Sequence, residues 1–141
     1  MQLNHLHLKA HNLDATRVFY EKYFGFRKAF DHENAAFLCD DSGFLLAIFA
    51  YKGDEPAFEF PDWFHFGFCL SKESAVRELF AQMRSDQVEF ARPLKEFRDG
   101  TVNFYCFDPA GHKVEVSWNA VEVQQLKPLA SNNHKSSVSQ P

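Results

Sequence analysis

The chain has 141 residues, of which 45% are hydrophobic and 16% aromatic, with 17 phenylalanines. This composition supports a packed core in one domain or in two small modules, and it argues against disorder over most of the length. The formal net charge of −4 and the pI near 5.9 give no basic field that would favour nucleic acid or an anionic membrane. We therefore expect neither as a partner.

The cysteines and the N-terminal region bear on the cellular compartment. Cys39, Cys69 and Cys106 are widely spaced and odd in number, so neither a CxxC zinc pair nor a disulfide framework is indicated. Each lies among apolar residues, which favours a small buried side chain. No basic segment followed by an apolar run opens the chain, and no apolar stretch reaches membrane-spanning length. These features predict a cytoplasmic protein.

The first half of the chain carries one helix signal among several strand signals. Residues 2–10 alternate as a strand that places His5 and His7 on one face. Asn12 is a predicted helix N-cap, and Gly25 is predicted to end that helix in a left-handed conformation. Three short strands are predicted near residues 26–31, 35–39 and 44–51.

The second half carries the same signals in the same order. A strand over 63–70 contains His65, and Ser71 is predicted to cap the helix that follows. Apolar residues in that helix recur at the spacing of a half-buried face, at Val76, Leu79, Phe80 and Met83. Further strands are predicted near 88–91, 101–107 and 112–118. A long charged loop over residues 92–100 is predicted between the first two of these.

This order is strand, helix and three strands, given twice. A turn of the form Asp-x-x-Gly precedes the last strand of each unit, at Asp40–Gly43 and at Asp108–Gly111. The prediction is an α+β fold with two βαβββ modules. The first module covers residues 1–51, a linker 52–61, the second module 62–118, and a polar, disordered tail 119–141.

The repeat also aligns individual residues. His5 opens the first unit as His65 opens the second, and pairing the two turn glycines places Ala47 opposite Glu115. Two similar units related by a pseudo-twofold axis would bring these four strand positions to one centre. Three of the four carry side chains that bind metals. Taken singly, each histidine is more typical of a hydrogen-bonded core residue, but their coincidence at equivalent positions favours a metal site.

The sequence resembles the vicinal oxygen chelate superfamily, which includes glyoxalase I, the extradiol dioxygenases, the fosfomycin resistance proteins and the bleomycin-binding proteins. The resemblance covers residues 1–118. It is carried by Leu3–Lys9, by Phe19-Tyr20 running into Phe24-Gly-Phe26, by the His65 strand, and by Phe104–Glu115. It implies paired βαβββ modules that curl into an incomplete mixed β-barrel around a divalent metal. It also implies a homodimer whose sites combine strands from both chains.

The ligand set that the resemblance implies is His5, His65 and Glu115. Two imidazoles and one carboxylate leave coordination positions open, and they suit Fe, Mn, Zn, Ni or Co without choosing between them. Relatives that resemble glyoxalase I carry a fourth ligand, a Glu, where this chain has Ala47. Glyoxalase I activity is therefore disfavoured. The intact set of three ligands counts against the bleomycin-binding class, whose members generally lack metal ligands.

Four further residues are candidates for the chemistry. His7 shares the face of His5 and could act as an acid or base or bind substrate, or it could merely line the site. Tyr105 could orient a substrate oxygen, or it could be an aromatic core residue. Lys95 and Arg98 could bind an anionic substrate from a mobile loop, or that loop could simply be solvated. His112 is predicted to support its turn rather than to bind metal.

These residues predict a metal-dependent enzyme that acts on a small oxygen-rich or aromatic substrate by bidentate chelation to the ion. Its reaction would be dioxygenase-like or transferase/lyase-like. The alternative is a non-catalytic protein that binds and sequesters a small molecule, such as a drug or antibiotic, in the same cup. Fosfomycin itself is disfavoured, because its resistance proteins carry an Arg shortly after the metal-binding Glu and residues 119–125 offer none.

Overall fold

The computed structural model describes residues 3–30 and 32–121, and in each half of this range one helix accompanies one four-stranded sheet. The first half contains β1 (His5–Ala10), α1 (Leu13–Phe24), β2 (Arg27–Phe30), β3 (Ala35–Cys39) and β4 (Leu45–Ala50). The second half contains β5 (Phe66–Cys69), α2 (Glu73–Ser85), β6 (Phe90–Glu96), β7 (Val102–Phe107) and β8 (Lys113–Trp118). The predicted tail, 119–141, lies outside the described residues from 122 onward.

The two sheets have the same topology. Their strand orders are β1-β4-β3-β2 and β5-β8-β7-β6, and in each sheet the first and last strands of the unit are parallel while the other pairs are antiparallel. In register, His7 lies opposite Ala47 in one sheet as Gly67 lies opposite Glu115 in the other. The α+β class and the two βαβββ units with mixed, unclosed sheets are confirmed.

The ends of α1 confirm the sequence prediction, whereas the start of α2 corrects it. Asn12 accepts a hydrogen bond from the backbone N–H of Ala15 at 3.0 Å, and Gly25 has a left-handed φ of 68°. At α2 the predicted cap Ser71 is wrong, because the N-cap is Lys72 and its side chain makes no capping hydrogen bond. The first turn instead carries the negative charge of Glu73, which favours a helix N-terminus.

The predicted loop over 92–100 is wrong for its first half. Residues up to Glu96 belong to β6 and pair with β7, so only the turn that follows remains a loop. Charged residues and Pro93 suggested a loop, but β6 is an edge strand and its pairing is irregular between Arg92 and Lys95. A proline is tolerated at such a place because an edge strand leaves one set of N–H groups unpaired.

The predicted strand over 63–70 is shorter in the structure. Phe64 donates its backbone N–H to the carbonyl of Pro61 at 2.8 Å, which forms a turn, and β5 begins only at Phe66. His65 therefore lies at the junction between the turn and the strand. Its position is set by both elements.

The two Asp-x-x-Gly turns share one hydrogen-bond pattern. One carboxylate oxygen of Asp40 and of Asp108 accepts backbone N–H groups from residues two and four positions later, at 2.8–2.9 Å. Gly43 and Gly111 have φ of 83° and 88°, which disfavours any side chain there. The ring of His112 lies 2.7 Å from Asp108 through Nδ1, so the predicted supporting role of His112 is confirmed.

Each helix packs on its own sheet, and a buried polar network joins the two halves. α1 contacts β3 and β4, and α2 contacts β7 and β8. The Tyr20 hydroxyl of α1 donates to the Asp108 carboxylate at 2.7 Å, and both groups are buried. Phe24 of α1 also stacks on Phe68 of β5 at 4.1 Å between ring centroids. No helix in the described ranges is long and apolar enough to cross a membrane.

None of the three cysteines, all within the described residues, forms a disulfide, and one of them is part of the core. Cys106 is fully buried, while Cys39 and Cys69 are half-buried. Burial raises the pKa of the Cys106 thiol to about 12. That thiol therefore stays protonated and behaves as a small apolar side chain.

We expect stability to fall in alkaline solution because of Tyr20. Burial, assisted by the charge of Asp108, raises the pKa of this phenol well above its usual value. A pKa that is higher in the folded than in the unfolded state gives stability that is complete below about pH 10 and is lost above it. In urea denaturation between pH 8 and 11, Tyr20→Phe should lose stability less steeply than the parent chain. An identical slope would contradict the assignment.

Candidate metal centre

His65 and Glu115 come together on the open face of the second sheet. Nε2 of His65 lies 3.3 Å from Oε2 of Glu115. Glu115 pairs with Gly67, and His65 precedes Gly67 by two residues, so the strand alternation points both side chains to the same side. The opposite face of β8 presents Val114 and Val116 to the core. Glu115 thus lies on the polar face of β8, and the other face of this strand is fully buried.

The orientation of the His65 ring leaves one nitrogen available for a ligand. Nδ1 lies 3.0 Å from the backbone carbonyl of Trp63. Because a carbonyl oxygen only accepts hydrogen bonds, Nδ1 carries a proton, and Nε2 is the nitrogen that faces Glu115. This arrangement is typical of metal-binding histidines, whose second nitrogen donates to a carbonyl or a carboxylate.

Glu115 is held by a chain of polar side chains. Its Oε1 accepts a hydrogen bond from the Asn103 amide at 2.6 Å, and the Asn103 oxygen accepts one from Nη2 of Arg92, also at 2.6 Å. Asn103 is buried, with 6% of its surface exposed. The chain fixes one carboxylate oxygen and leaves Oε2 facing His65.

The donor atoms present fit a divalent ion. Metal–ligand bonds of roughly 2.0–2.2 Å would put two neighbouring ligand atoms about 3 Å apart, close to the observed 3.3 Å. An imidazole nitrogen and a carboxylate oxygen suit several transition metals. The remaining atoms of both side chains are anchored to the protein, as they are around bound ions.

Gly67 makes room for the Glu115 side chain. A Cβ built on Gly67 would lie 3.0 Å from Cβ of Glu115 and 3.1 Å from its carbonyl oxygen. A side chain at this position must therefore displace β8 or the carboxylate that β8 carries. This close approach explains the glycine, because its φ is not in the left-handed region.

We expect Gly67→Ala to lower metal affinity along with stability. The displacement of β8 should cost about 1–3 kcal/mol, and the shifted carboxylate should bind a divalent ion more weakly. Mn(II) titration and urea denaturation measure the two effects, with Cys69→Ala on the same face of β5 as control. An unchanged affinity would show that Gly67 is only a packing residue.

The first sheet carries His5 and His7 on its open face, away from this pair. Both are exposed on β1; the His5 ring hydrogen-bonds to the side chain of Asn4 at 2.8 Å, and the His7 ring lies 4.4 Å from that of Phe49. Within residues 3–30 and 32–121, no three His, Cys, Asp or Glu side chains are grouped so as to hold a metal. Two of the three predicted ligands, His65 and Glu115, thus form a close pair, whereas His5 lies on the first sheet.

Tyr105 lies where the sequence placed it, beside the pair. It is opposite Glu115 in the register of β7 and β8, and its ring meets the His65 ring edge-on at 5.1 Å. Burial raises the pKa of its phenol, and the neighbouring Glu115 adds to that shift. The hydroxyl therefore remains protonated at neutral pH and can donate a hydrogen bond.

Lys95 and Arg98 lie apart from the pair. Lys95 is an exposed residue of β6 whose ammonium group lies 4.7 Å from the centre of the Phe97 ring. Arg98 is exposed in the short turn after β6, which is closed by a hydrogen bond from Gly100 to Phe97. Neither residue lines the cavity next to His65.

Sequence reasoning missed Arg92 and Asn103. Asn103 precedes Tyr105 by two residues on one strand, so strand alternation could have found it. Arg92 gave no such signal, because its segment resembled a loop. Its Nε is buried without a hydrogen-bond partner, which costs about 1–3 kcal/mol. Because this buried donor is destabilising and lies near the His65–Glu115 pair, Arg92 is a candidate functional residue.

Comparisons with known proteins show which family the chain is similar to. A model of the Glyoxalase/Bleomycin resistance protein/Dioxygenase superfamily matches residues 2–116. Among solved structures, a possible glyoxalase from Bacillus cereus is 29% identical, with a TM-score of 0.69 over 82% of this chain and 97% of that chain. A search of curated proteins gave no match.

Two further structures share the fold at lower identity. The fosfomycin resistance protein FosX from Listeria monocytogenes is 20% identical, with a TM-score of 0.73 over 88% of this chain and 98% of that one. Lactoylglutathione lyase from Agrobacterium tumefaciens is also 20% identical, with a TM-score of 0.63 over 84% and 93%. The extent of the family match decides the assignment: this chain belongs to the Glyoxalase/Bleomycin resistance protein/Dioxygenase superfamily.

Proposed function

We propose that this chain is a metal-dependent enzyme that acts on a small oxygen-rich or aromatic substrate through bidentate chelation to a divalent ion. The observation that carries the proposal is the 3.3 Å approach of His65 Nε2 to Glu115 Oε2, with Trp63 and Asn103 holding the other ends of the two side chains. A bound ion would supply Lewis-acid polarisation of substrate oxygens. Open coordination positions would remain, because Ala47 replaces the fourth ligand.

We propose that the third ligand is His5 of a second copy of the chain. His5 is exposed on the open face of the first sheet, and its ring hydrogen-bonds to the side chain of the adjacent Asn4. A homodimer that places the open face of one first sheet over the open face of the other copy's second sheet would complete two equivalent sites. This arrangement also brings His7 to the site as a candidate acid or base.

The residues around the pair support specific roles in catalysis. Tyr105, kept neutral by burial and by Glu115, would donate a hydrogen bond to a substrate oxygen on which charge develops. Asn103 would hold Glu115 in one orientation throughout the reaction. The exposed Trp63 and the ring of Tyr105 would exclude water from one side of the substrate.

Anaerobic metal analysis of the purified, tag-free full chain tests the proposal. One divalent ion per chain is expected, and His65→Ala should lose it. His11→Ala is the control and should keep the ion, because His11 is an exposed histidine that directly follows β1. Iron would indicate dioxygen chemistry, manganese a transferase, and nickel or zinc an isomerase. Retention of the ion by His65→Ala would overturn the proposal. Tight ligand binding without turnover would instead favour the sequestering protein.

A further inference from the structure

A small cavity of about 280 Å³ opens beside His65. Its walls include Trp63, Arg92, Tyr105 and Lys113, and Asp62 lies at the same cavity. The volume is just below that of typical pockets for drug-sized molecules, which begin near 300 Å³. The cavity therefore suits a molecule of about one ring.

Arg92 is held in this cavity in a fixed orientation. The Tyr105 ring lies 4.3 Å from its guanidinium carbon, and the Phe97 ring lies 5.5 Å from it. Nη2 donates to Asn103 at 2.6 Å. Aromatic rings against the planar group leave its edge, where the N–H donors lie, as the part that meets a ligand.

Arg92 makes no direct ion pair with a carboxylate in residues 3–30 and 32–121. Within the same residues Lys113 forms none either, and its ammonium group donates to the backbone carbonyl of Asp62. Asp62 supplies the one carboxylate among the residues that line the cavity. Arg92 and Lys113 therefore face one carboxylate among the residues that line the cavity, and the nearby Glu115 is linked to Arg92 through Asn103, which already hydrogen-bonds to its Oε1.

A structural role for Arg92 explains only part of this arrangement. Its hydrogen bond to Asn103 supports the Glu115 orientation, but a neutral glutamine could supply that donor. The guanidinium group instead keeps a full charge, and its Nε is buried without a partner. Arg presents paired N–H donors that match a planar carboxylate, so an anionic oxygen group is the ligand that fits.

We propose that this cavity binds the carboxylate of a small, planar organic acid, with Arg92 as the principal contact and Trp63 and Tyr105 flanking the ring. The substrates would then be aromatic or unsaturated acids whose oxygens lie next to the His65–Glu115 pair, which rests on the function proposed above. Arg92 of β6 would bind the anion, beside Trp63 in the turn before β5. Lys95 and Arg98, which do not line the cavity, have no part in it.

The test uses benzoate and benzamide, which differ in charge but hardly in shape. Binding to the full chain, freed of metal by chelation and dialysis, is followed by calorimetry and by tryptophan fluorescence, to which Trp63 at the cavity and Trp118 on β8 both contribute. Benzoate should bind about tenfold more tightly than benzamide, since hydrogen bonds to charged groups are stronger than neutral ones. Arg92→Gln should remove that preference. The matched control is Arg84→Gln, because Arg84 also lies over an aromatic ring, Phe80 at 5.7 Å, but on α2.

Equal affinity for benzoate and benzamide, or a preference that survives Arg92→Gln, would overturn the inference. Should Arg92→Gln fail to fold, as judged by circular dichroism, the parent chain decides: its affinity for benzoate must fall as NaCl is raised, and independence from salt would overturn the inference. Lys113→Gln provides a second variant, expected to weaken benzoate about threefold. Because the protein is metal-free, failure here is distinct from a failure of metal binding.

Discussion

Glu115→Gln is expected to abolish tight binding of a divalent ion while preserving the fold. The amide oxygen of Gln can still accept the hydrogen bond from Asn103, but the negative charge facing His65 is lost. The loss of affinity should exceed the roughly 10–100-fold that follows when a residue supporting a metal ligand is removed. Titration with Mn(II), followed by electron paramagnetic resonance of the free ion, measures the change.

Glu96→Gln is the matched control for this variant. Glu96 is an exposed carboxylate on β6 that pairs with Arg77 at 2.8 Å, and it lies outside the cavity next to His65. It should leave Mn(II) affinity unchanged. An affinity for Glu115→Gln equal to that of the parent chain, with a cooperative unfolding transition intact, would remove Glu115 from the site.

In the turn Asp108–Gly111, which connects β7 and β8, Asp108→Ala is expected to be the most destabilising single change. The buried carboxylate accepts hydrogen bonds from Tyr20, from the His112 ring and from two backbone N–H groups. Its removal leaves these donors buried without partners and removes the hydrogen bond by which Tyr20 of α1 contacts the second module. We expect a loss of about 3–5 kcal/mol, measured as the free energy of unfolding in urea.

The internal repeat offers a control for this prediction. Asp40 holds the corresponding turn of the first unit, but its partners are backbone N–H groups and the exposed Ser42 hydroxyl. Asp40→Ala should therefore cost only about 1 kcal/mol. Equal losses for Asp40→Ala and Asp108→Ala would show that the turn, and not the contact with Tyr20, determines the stability.

Sequence reasoning succeeded where the determinants of structure are local. The ends of α1 follow from the cap at Asn12 and the left-handed Gly25, and both turns follow from an aspartate that precedes a glycine by three residues. The part of β6 from Arg92 onward was missed because its charged residues and Pro93 resemble a loop until a partner strand is known. An edge strand is stabilised by pairing with β7 and not by its own pattern.

Part of the candidate site could be predicted from the sequence, and part of it could not. Strand alternation brings His65 and Glu115 to one face, and the repeat marked both positions. The polar chain through Asn103 to Arg92 depends on which strands are neighbours and on an irregular register, and these are properties of the tertiary structure. The place of His5 depends on how the two sheets face each other, which no local pattern specifies.

Mixing two defective chains tests the central claim most directly. His5→Ala keeps His65 and Glu115, whereas Glu115→Gln keeps His5, so a mixed dimer contains one complete site if His5 comes from the other copy. After the two variants are unfolded and refolded together, random pairing should restore Mn(II) binding to about one quarter of the parent sites. Each variant refolded alone should bind none tightly. No gain in the mixture over the two separate proteins would contradict a metal site shared between copies of this chain.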